Sequence, residues 1–430
     1  MKLKNKIIKT AFMVVAVCGI TFAFQTNTYA KKNFKVTPSK VEKQSKKSFR
    51  TITTKYTKHY LGLNAFLDKM EKAGGGTLTI KKGTYYISNA IYVPSNTTVV
   101  FENGVVFKKI NKTGTNYKAS GSMWQICPRS KSKKKNSIGK YKGAKNVTFK
   151  AKGKVTFDMG NIAGITIVAA HNQNIDISGI TFKNQNGNHY VEVNGSKDVN
   201  IHDCYFGKSK KSTREKYYMK EAINIDLADK ATHGLPLDWV KKDKTPCYNV
   251  ENNVFNSTTR GVGTHKYSQN SKGENIYHQN ITIRNNEFKN IHDNGVFVLN
   301  WKNTKIENNK FTNIGNSSKK SYSSGAHAIS GGGIEEINIT GNTFTKIKRN
   351  PVYFCIQQNV GGGSNYKKVG MKITKEETKA MLDNKVSDCG YDMNSIFHGY
   401  DILYFKGSGE RSRSNAVGVN INKQIISYGL

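Results

Sequence analysis

Acidic residues are scarce in this chain: 29 Asp and Glu stand against 68 Lys and Arg, for a net charge of +39 over 430 residues. Such an excess of positive charge favours polyanionic partners, either an acidic polysaccharide or a cell-wall polymer. No nucleic-acid-binding motif accompanies it, so nucleic acid is not an expected partner. Cysteine is sparse as well. The six cysteines are widely spaced and no CxxC occurs, which argues against a zinc site and against a dense disulfide framework. Long apolar runs are missing except for residues 11–24, too short to span a bilayer. Lys2, Lys4, Lys6 and Lys9 precede that run and Thr28-Tyr29-Ala30 follows it, the pattern of a secretory signal cut after Ala30. Val17 is too large to precede a lipoprotein cysteine at Cys18. Removal of residues 1–30 takes away four lysines and no acids and leaves +35. The expected product is extracellular, has no transmembrane segment, is held near a cell wall by charge, and is a monomer. It keeps five cysteines (Cys127, Cys204, Cys247, Cys355 and Cys389), an odd number best read as buried thiols.

A helical period is absent from residues 163–354, where a different repeat is present. Short runs of alternating apolar residues end in phenylalanine at Phe182, Phe206, Phe255, Phe288, Phe311 and Phe344. The intervals are 24, 49, 33, 23 and 33 residues, consistent with a unit of about 22–25 residues carrying insertions. A unit that small cannot bury its own apolar face and must stack on the next one, so the pattern predicts a solenoid of strands with inward phenylalanines. Asparagines recur at the turns, where they tolerate left-handed backbone and can bond along a ladder.

The chain divides accordingly. Residues 31–57 are basic, polar and poor in aliphatics, and read as a linker or arm. Leu63, Phe66, Leu67 and Met70 have helical spacing before Gly74-Gly75-Gly76, predicting a helix over 61–73 that caps the first coil. Strands are expected at 77–82, 84–88, 91–93 and 97–108. Residues 129–144 form a solvated basic loop. The solenoid is expected over 58–360, and 361–430 should cap its far end with one helix near 374–383.

These features resemble the right-handed parallel β-helix of pectate lyases and polygalacturonases. The stretches "LNAFLDKMEKAGGGTLTIKKGTYYIS" and "IYVPSNTTVVFENGVVFKK" are similar to the first coils of that fold. The pairing of "EAINID" with "GVGTH" looks like a group of secreted Gram-positive β-helix proteins. The implied fold is all-β, a right-handed parallel β-helix with an N-terminal capping helix.

Aligning the apolar strands places Ile165, Val191, Ile223, Val262, Val296, Ile329 and Val352 in one inward column. Period 2 then turns the residues one and three later to the outer face. Neighbours in a column lie about 4.8 Å apart, so Glu192, Asn194, Glu221, Asn224, Asp226, Arg260 and His265 gather into an exposed polar cluster. Asp226 beside His265 forms an acid/base pair, and Glu221 beside Arg260 a clamp or ion pair. Phe297 and Tyr353 add aromatic surface. Insertions at 207–220, 227–246, 266–279 and 315–325 would wall a groove over these coils.

The resemblance implies two chemistries. Against the polygalacturonase pattern, Glu221 matches the first carboxylate, but Thr259-Arg260 stands where an Asp-Asp pair belongs. Asp293-Asn294 resembles that pair one coil later, and His327 of "GAHAIS" the Gly-His-Gly histidine. This reading is glycoside hydrolysis, with Glu221 and Asp226 as acid and base, His265 as their partner and Arg260 assisting. Glu192, Asn194, Asn224, Asp293, His327, Phe297 and Tyr353 would contact substrate. Against lyases resembling chondroitinase B and alginate lyase, the column that carries Lys and Arg holds Asp226 and His265 here. The lyase alternative would use calcium held by Glu192, Asn194, Glu221 and Asp226. A non-catalytic glycan- or wall-binding protein is the third reading.

Overall fold

The computed structural model describes residues 31–132, 138, 141–209, 221–227, 246–251, 253–264, 274–315, 326–356, 369–390 and 399–430. The expected signal sequence, His265 and most of the predicted groove walls lie outside the described residues. The rest forms a right-handed parallel β-helix in which nearly every strand pairs in parallel with the strand one coil later.

The register confirms the repeat. Phe182, Phe206, Phe255, Phe288, Phe311 and Phe344 occupy one inward column and stack face to face, with centroids 4.9, 4.8, 4.6, 4.7 and 5.2 Å apart. That spacing is the distance between hydrogen-bonded strands, so the backbone ladder and the ring stack impose the same repeat. A second column runs beside it. Asn253, Asn286, Asn309, Asn342 and Asn384 are buried, and each of the first four donates from its side-chain amide to the next asparagine's Oδ1 at 3.0–3.1 Å. Each amide also donates to a carbonyl of the preceding coil, Asn309 to that of Ile283 at 2.8 Å. The ladder therefore satisfies the polar groups of a turn that the solenoid has buried. Asn280 and Asn303 repeat the device at the surface, with φ of 56° and 49° and a 2.6 Å bond between their side chains.

Both ends differ from expectation. Residues 31–57 are not an unstructured arm. Phe34–Val36 pairs in parallel with Gly76–Ile80 and so starts the first coil. Helix α1 (Pro38–Ser48) follows, capped by the Thr37 hydroxyl. It packs on α2 (Lys58–Lys72), the predicted cap, at Gly62, where a Cβ would sit 2.0 Å from the Val41 carbonyl oxygen. Composition misled because few residues of this stretch, among them Phe34, Val36, Val41, Ser45 and Thr57, face inward, too few to show against the lysines.

At the other end the solenoid continues beyond 360. Met371–Lys372, Lys385–Ser387 and Ile402–Phe405 pair in parallel with the preceding coil and complete one further turn. Helix α3 (Lys375–Ala380), opened by a Thr374/Glu377 capping box, sits within that turn. Ala416–Asn420 and Ile425–Tyr428 then add antiparallel and close the end.

The columns generate a stability prediction. Asn309→Leu removes the bonds to the Ile283 carbonyl and Asn342 and strands the Asn286 amide; it should cost roughly 3 kcal/mol or more. Phe288→Ala, which opens a gap in the ring stack, should cost roughly 3–5 kcal/mol. Urea unfolding followed by circular dichroism measures both.

Candidate functional site

The outer-face cluster is built by four successive strands. Val191–Asn194 pairs with Glu221–Asp226, that strand with Arg260–Gly263, and that with the start of Val296–Glu307. The inward column runs Val191, Ile223, Val262, Val296, Ile329 and Val352, as the sequence predicts. One position changes: Val191 is opposite Ile167, not Ile165. Ile165-Thr166-Ile167 offers two apolar residues in the same phase, and period 2 alone cannot choose between them. Val168 therefore lies beside Glu192, and Ala170 beside Asn194.

The register places Glu192 next to Asn224, Asn194 next to Asp226, and Glu221 next to Arg260. The cluster assembles, but it is not exposed. Glu221 and Asn224 are completely buried, and Glu192, Asn194, Asp226 and Arg260 retain 1–3% of their surface. The outer face carries packing of its own. Phe297 and Leu299 are buried against Val369 and Tyr277, residues distant in sequence that period 2 cannot reveal.

Within the cluster, Arg260 is the hub. Its Nη1 donates to Glu221 Oε1 at 3.0 Å and its Nε to Asp293 Oδ2 at 2.6 Å. The guanidinium carbon lies 4.1 Å from the centroid of the Phe297 ring. Burial alone would lower the Arg260 pKa; the Asp293 and Glu221 carboxylates outweigh it and hold the group above the ordinary arginine value. Phe297 and Asp293, expected at the substrate, instead position this arginine. His189 Nδ1 donates to the Glu221 backbone carbonyl at 2.9 Å and lies 3.7 Å from Glu221 Oε2, which extends the line to His189, Glu221, Arg260 and Asp293. An arginine held at two edges with its face against an aromatic ring is a positioning element.

The other two carboxylates are oriented from within their own strands. Asn194 Nδ2 donates to Glu192 Oε1 at 3.0 Å, and Asn224 Nδ2 to Asp226 Oδ2 at 3.2 Å. Glu192 and Asp226 are diagonal neighbours on adjacent coils, one coil step and two residues apart, so their Cα atoms are separated by about 8 Å. Thr264 seals the inner side: its hydroxyl donates to the Ile225 carbonyl at 2.6 Å and accepts from Trp301 Nε1 at 2.8 Å. The proposed calcium set does not fit this arrangement, because Glu221 is committed to Arg260. Among the described residues no group of three or more His, Cys, Asp or Glu side chains is gathered to hold a metal ion.

His327 does not face a groove. It is buried, its Nδ1 donates to the Asn350 carbonyl at 2.7 Å, and its ring stacks on Tyr353 at 4.8 Å. Tyr353 is covered in turn by the C-terminal strands, beside Cys355, Leu403 and Phe405. Cys127, Cys204, Cys355 and Cys389 are free thiols, and the first three are buried.

Three histidines are held neutral, which gives a pH dependence. Burial pushes the His327 pKa down to about 3, and those of His278 and His59 down to about 4. The unfolded chain protonates them near 6.5 and the folded chain does not, so acidification draws the equilibrium towards the unfolded state. Stability should be constant above pH 6.5 on this account and fall as pH drops from 6.5 towards 4. His278→Gln should flatten that fall by up to about 1.4 kcal/mol per pH unit, the value for one proton, as measured by urea midpoints across the range. Separately, Arg260→Met, which leaves Glu221 and Asp293 buried without their cation, should cost roughly 3–5 kcal/mol.

No family model matches the sequence, and neither does any curated protein sequence. The fold does have solved counterparts. A crystal structure of PfbA, a surface adhesin of Streptococcus pneumoniae, superposes with a TM-score of 0.53 at 17% identity, covering 69% of this chain and 79% of that one. A second structure of the same adhesin gives 0.51 at 16% identity over 68% and 84%. A tailspike protein of an E. coli bacteriophage gives 0.49 at 14% identity over 78% and 64%. At these identities the likeness to the adhesin is one of fold: the chain shares the right-handed parallel β-helix.

Proposed function

We propose that this protein acts outside the cell on an anionic polysaccharide and hydrolyses it, with Glu192 and Asp226 as the carboxylate pair. The observation that carries the reading is the register of adjacent coils. It sets the two acids diagonally at about 8 Å between Cα atoms, and each accepts a bond from an asparagine two residues away. In an inverting glycosidase the two carboxyl groups, not their Cα atoms, stand about 6.5–9.5 Å apart with a water between them, and neighbouring Cα positions on one face are the starting point for such a pair. This moves the leading acid from Glu221, which the Arg260 ion pair engages, to Glu192.

Elimination is less well supported by the same face. Its base is typically a lysine or arginine, and the arginine in this cluster is fixed between two carboxylates. The non-catalytic reading draws on a different observation, the near-complete burial of the cluster. A polyanion-binding protein with a +39 charge needs no accessible acid and base.

The test incubates residues 31–430 with pectate, alginate, hyaluronate and purified wall polymers, following reducing ends and the unsaturated-uronate absorbance. Reducing ends without absorbance are expected. Asp226→Asn and Glu192→Gln should each lower the rate by roughly a hundredfold or more, the scale of a lost general acid or base, with the fold intact by circular dichroism. Salt-sensitive retention on a polymer without any product would replace hydrolysis by binding.

A further inference from the structure

A groove lies at the amino-terminal end of the same outward face. It has a volume of about 910 Å³ and is lined by Phe49 and Ile52, by one face of α2, by Asn89, Ala90 and Tyr92, and by two short stretches around Tyr117 and Arg129. Four aromatic side chains border it: Phe49, Tyr60, Tyr92 and Tyr117. Tyr117 is 71% exposed, the most exposed large apolar side chain in the described chain. Its backbone is nevertheless fixed, because Thr113 Oγ1 donates to the Tyr117 carbonyl at 2.6 Å and the Tyr117 amide donates to Thr115 Oγ1 at 3.2 Å. The opposite wall is equally determined. Arg129 Nε donates to Asp68 at 2.8 Å while its guanidinium covers Phe49, and Ser130 donates to Glu71. Asn89 Nδ2 donates to the Lys118 carbonyl at 3.0 Å and ties the strand side to the Tyr117 loop.

The groove's position follows from the strand register. Tyr92 is opposite Gln125, Gln125 opposite Val168, and Val168 opposite Glu192. Tyr92 therefore belongs to the same outward column as Glu192, three coil steps away, or about 14 Å. Between the two, Gln125 and Val168 are buried, Val168 packing with Ala170 and Ile165.

We infer that this groove is an outlying saccharide subsite, in line with the Glu192–Asp226 pair, in which Tyr117 provides the stacking platform. The chemistry points to a sugar. A pyranose presents a C–H face that packs on an aromatic ring and a rim of hydroxyls that need both donors and acceptors. The groove supplies aromatic rings together with Asp68, Glu71, Ser130 and Arg129. Lys72 and Lys118 are exposed at its edge and, with Arg129, outnumber the two acids, which suits a uronate-bearing chain. The inference deepens the polysaccharide reading above and rests on it for the ligand class, but it uses none of that pair's residues.

The experiment uses residues 31–430 carrying Asp226→Asn, so that no probe is consumed, and titrates oligogalacturonates and hyaluronate oligosaccharides of three and of six sugars by calorimetry. Six-sugar probes should bind more tightly than three-sugar probes. Tyr117→Ala should weaken six-sugar binding roughly tenfold, the loss of one aromatic stack, and Tyr117→Phe should restore it to within about twofold. Unchanged six-sugar binding in Tyr117→Ala overturns the subsite, and if the parent protein still cleaves polymer, the hydrolytic reading stands without it. Tyr117-dependent binding in a protein whose parent cleaves nothing establishes the subsite and removes the hydrolysis. No binding of any probe overturns the subsite.

Discussion

The structure depends on one constraint: a coil of about 25 residues cannot bury its own apolar face. Every coil must therefore match its neighbours at the strand spacing, and each inward position becomes a column. The stacked phenylalanines and the buried asparagine ladder are two answers to that requirement. The rings fill the core at 4.6–5.2 Å. The asparagines satisfy the turn backbone that stacking removes from water. A slip by one residue would put every phenylalanine on the wrong face and unpair every asparagine, so the two columns enforce the same register.

Because inward residues are locked, outward residues on adjacent coils are held at fixed separations. This is how side chains as far apart in sequence as Glu192, Asp226 and Arg260 come together without a loop to carry them. It also explains why the cluster contains a buried ion network. Burying Glu221 and Asp293 without a partner would be costly, and Arg260 offsets this by bonding both. Phe297 over the guanidinium fixes its plane, so Glu221 and Asp293 are connected through a rigid element rather than through two separate lysines.

Much of this was legible in the sequence, and the misses have physical causes. The phenylalanine period gave the fold, and the inward column from Val191 to Val352 was read correctly, because each of those strands has one clear apolar phase. Ile165 failed because Ile167 shares its phase. The first strand and α1 were hidden by lysines on their solvent faces. The last turn of the solenoid was hidden by α3, which breaks the spacing between Phe354 and Ile402. The exposure of the site could not be read at all. Burial of Phe297 and Leu299 comes from Val369 and Tyr277, and that of Tyr353 from Leu403 and Phe405, contacts that strand periodicity does not encode.

The ends of the solenoid bear on function in a way the middle does not. An open β-helix end exposes apolar core and unpaired strand edges, and it must be covered. Here the far end is closed by antiparallel strands and the near end by two helices. The groove beside Tyr117 lies at this end, between α2, the strand residues 89–92 and the loop that carries Tyr117. Since Tyr92 stands in the column of Glu192, whatever occupies that groove is aligned with the outward face of the later coils.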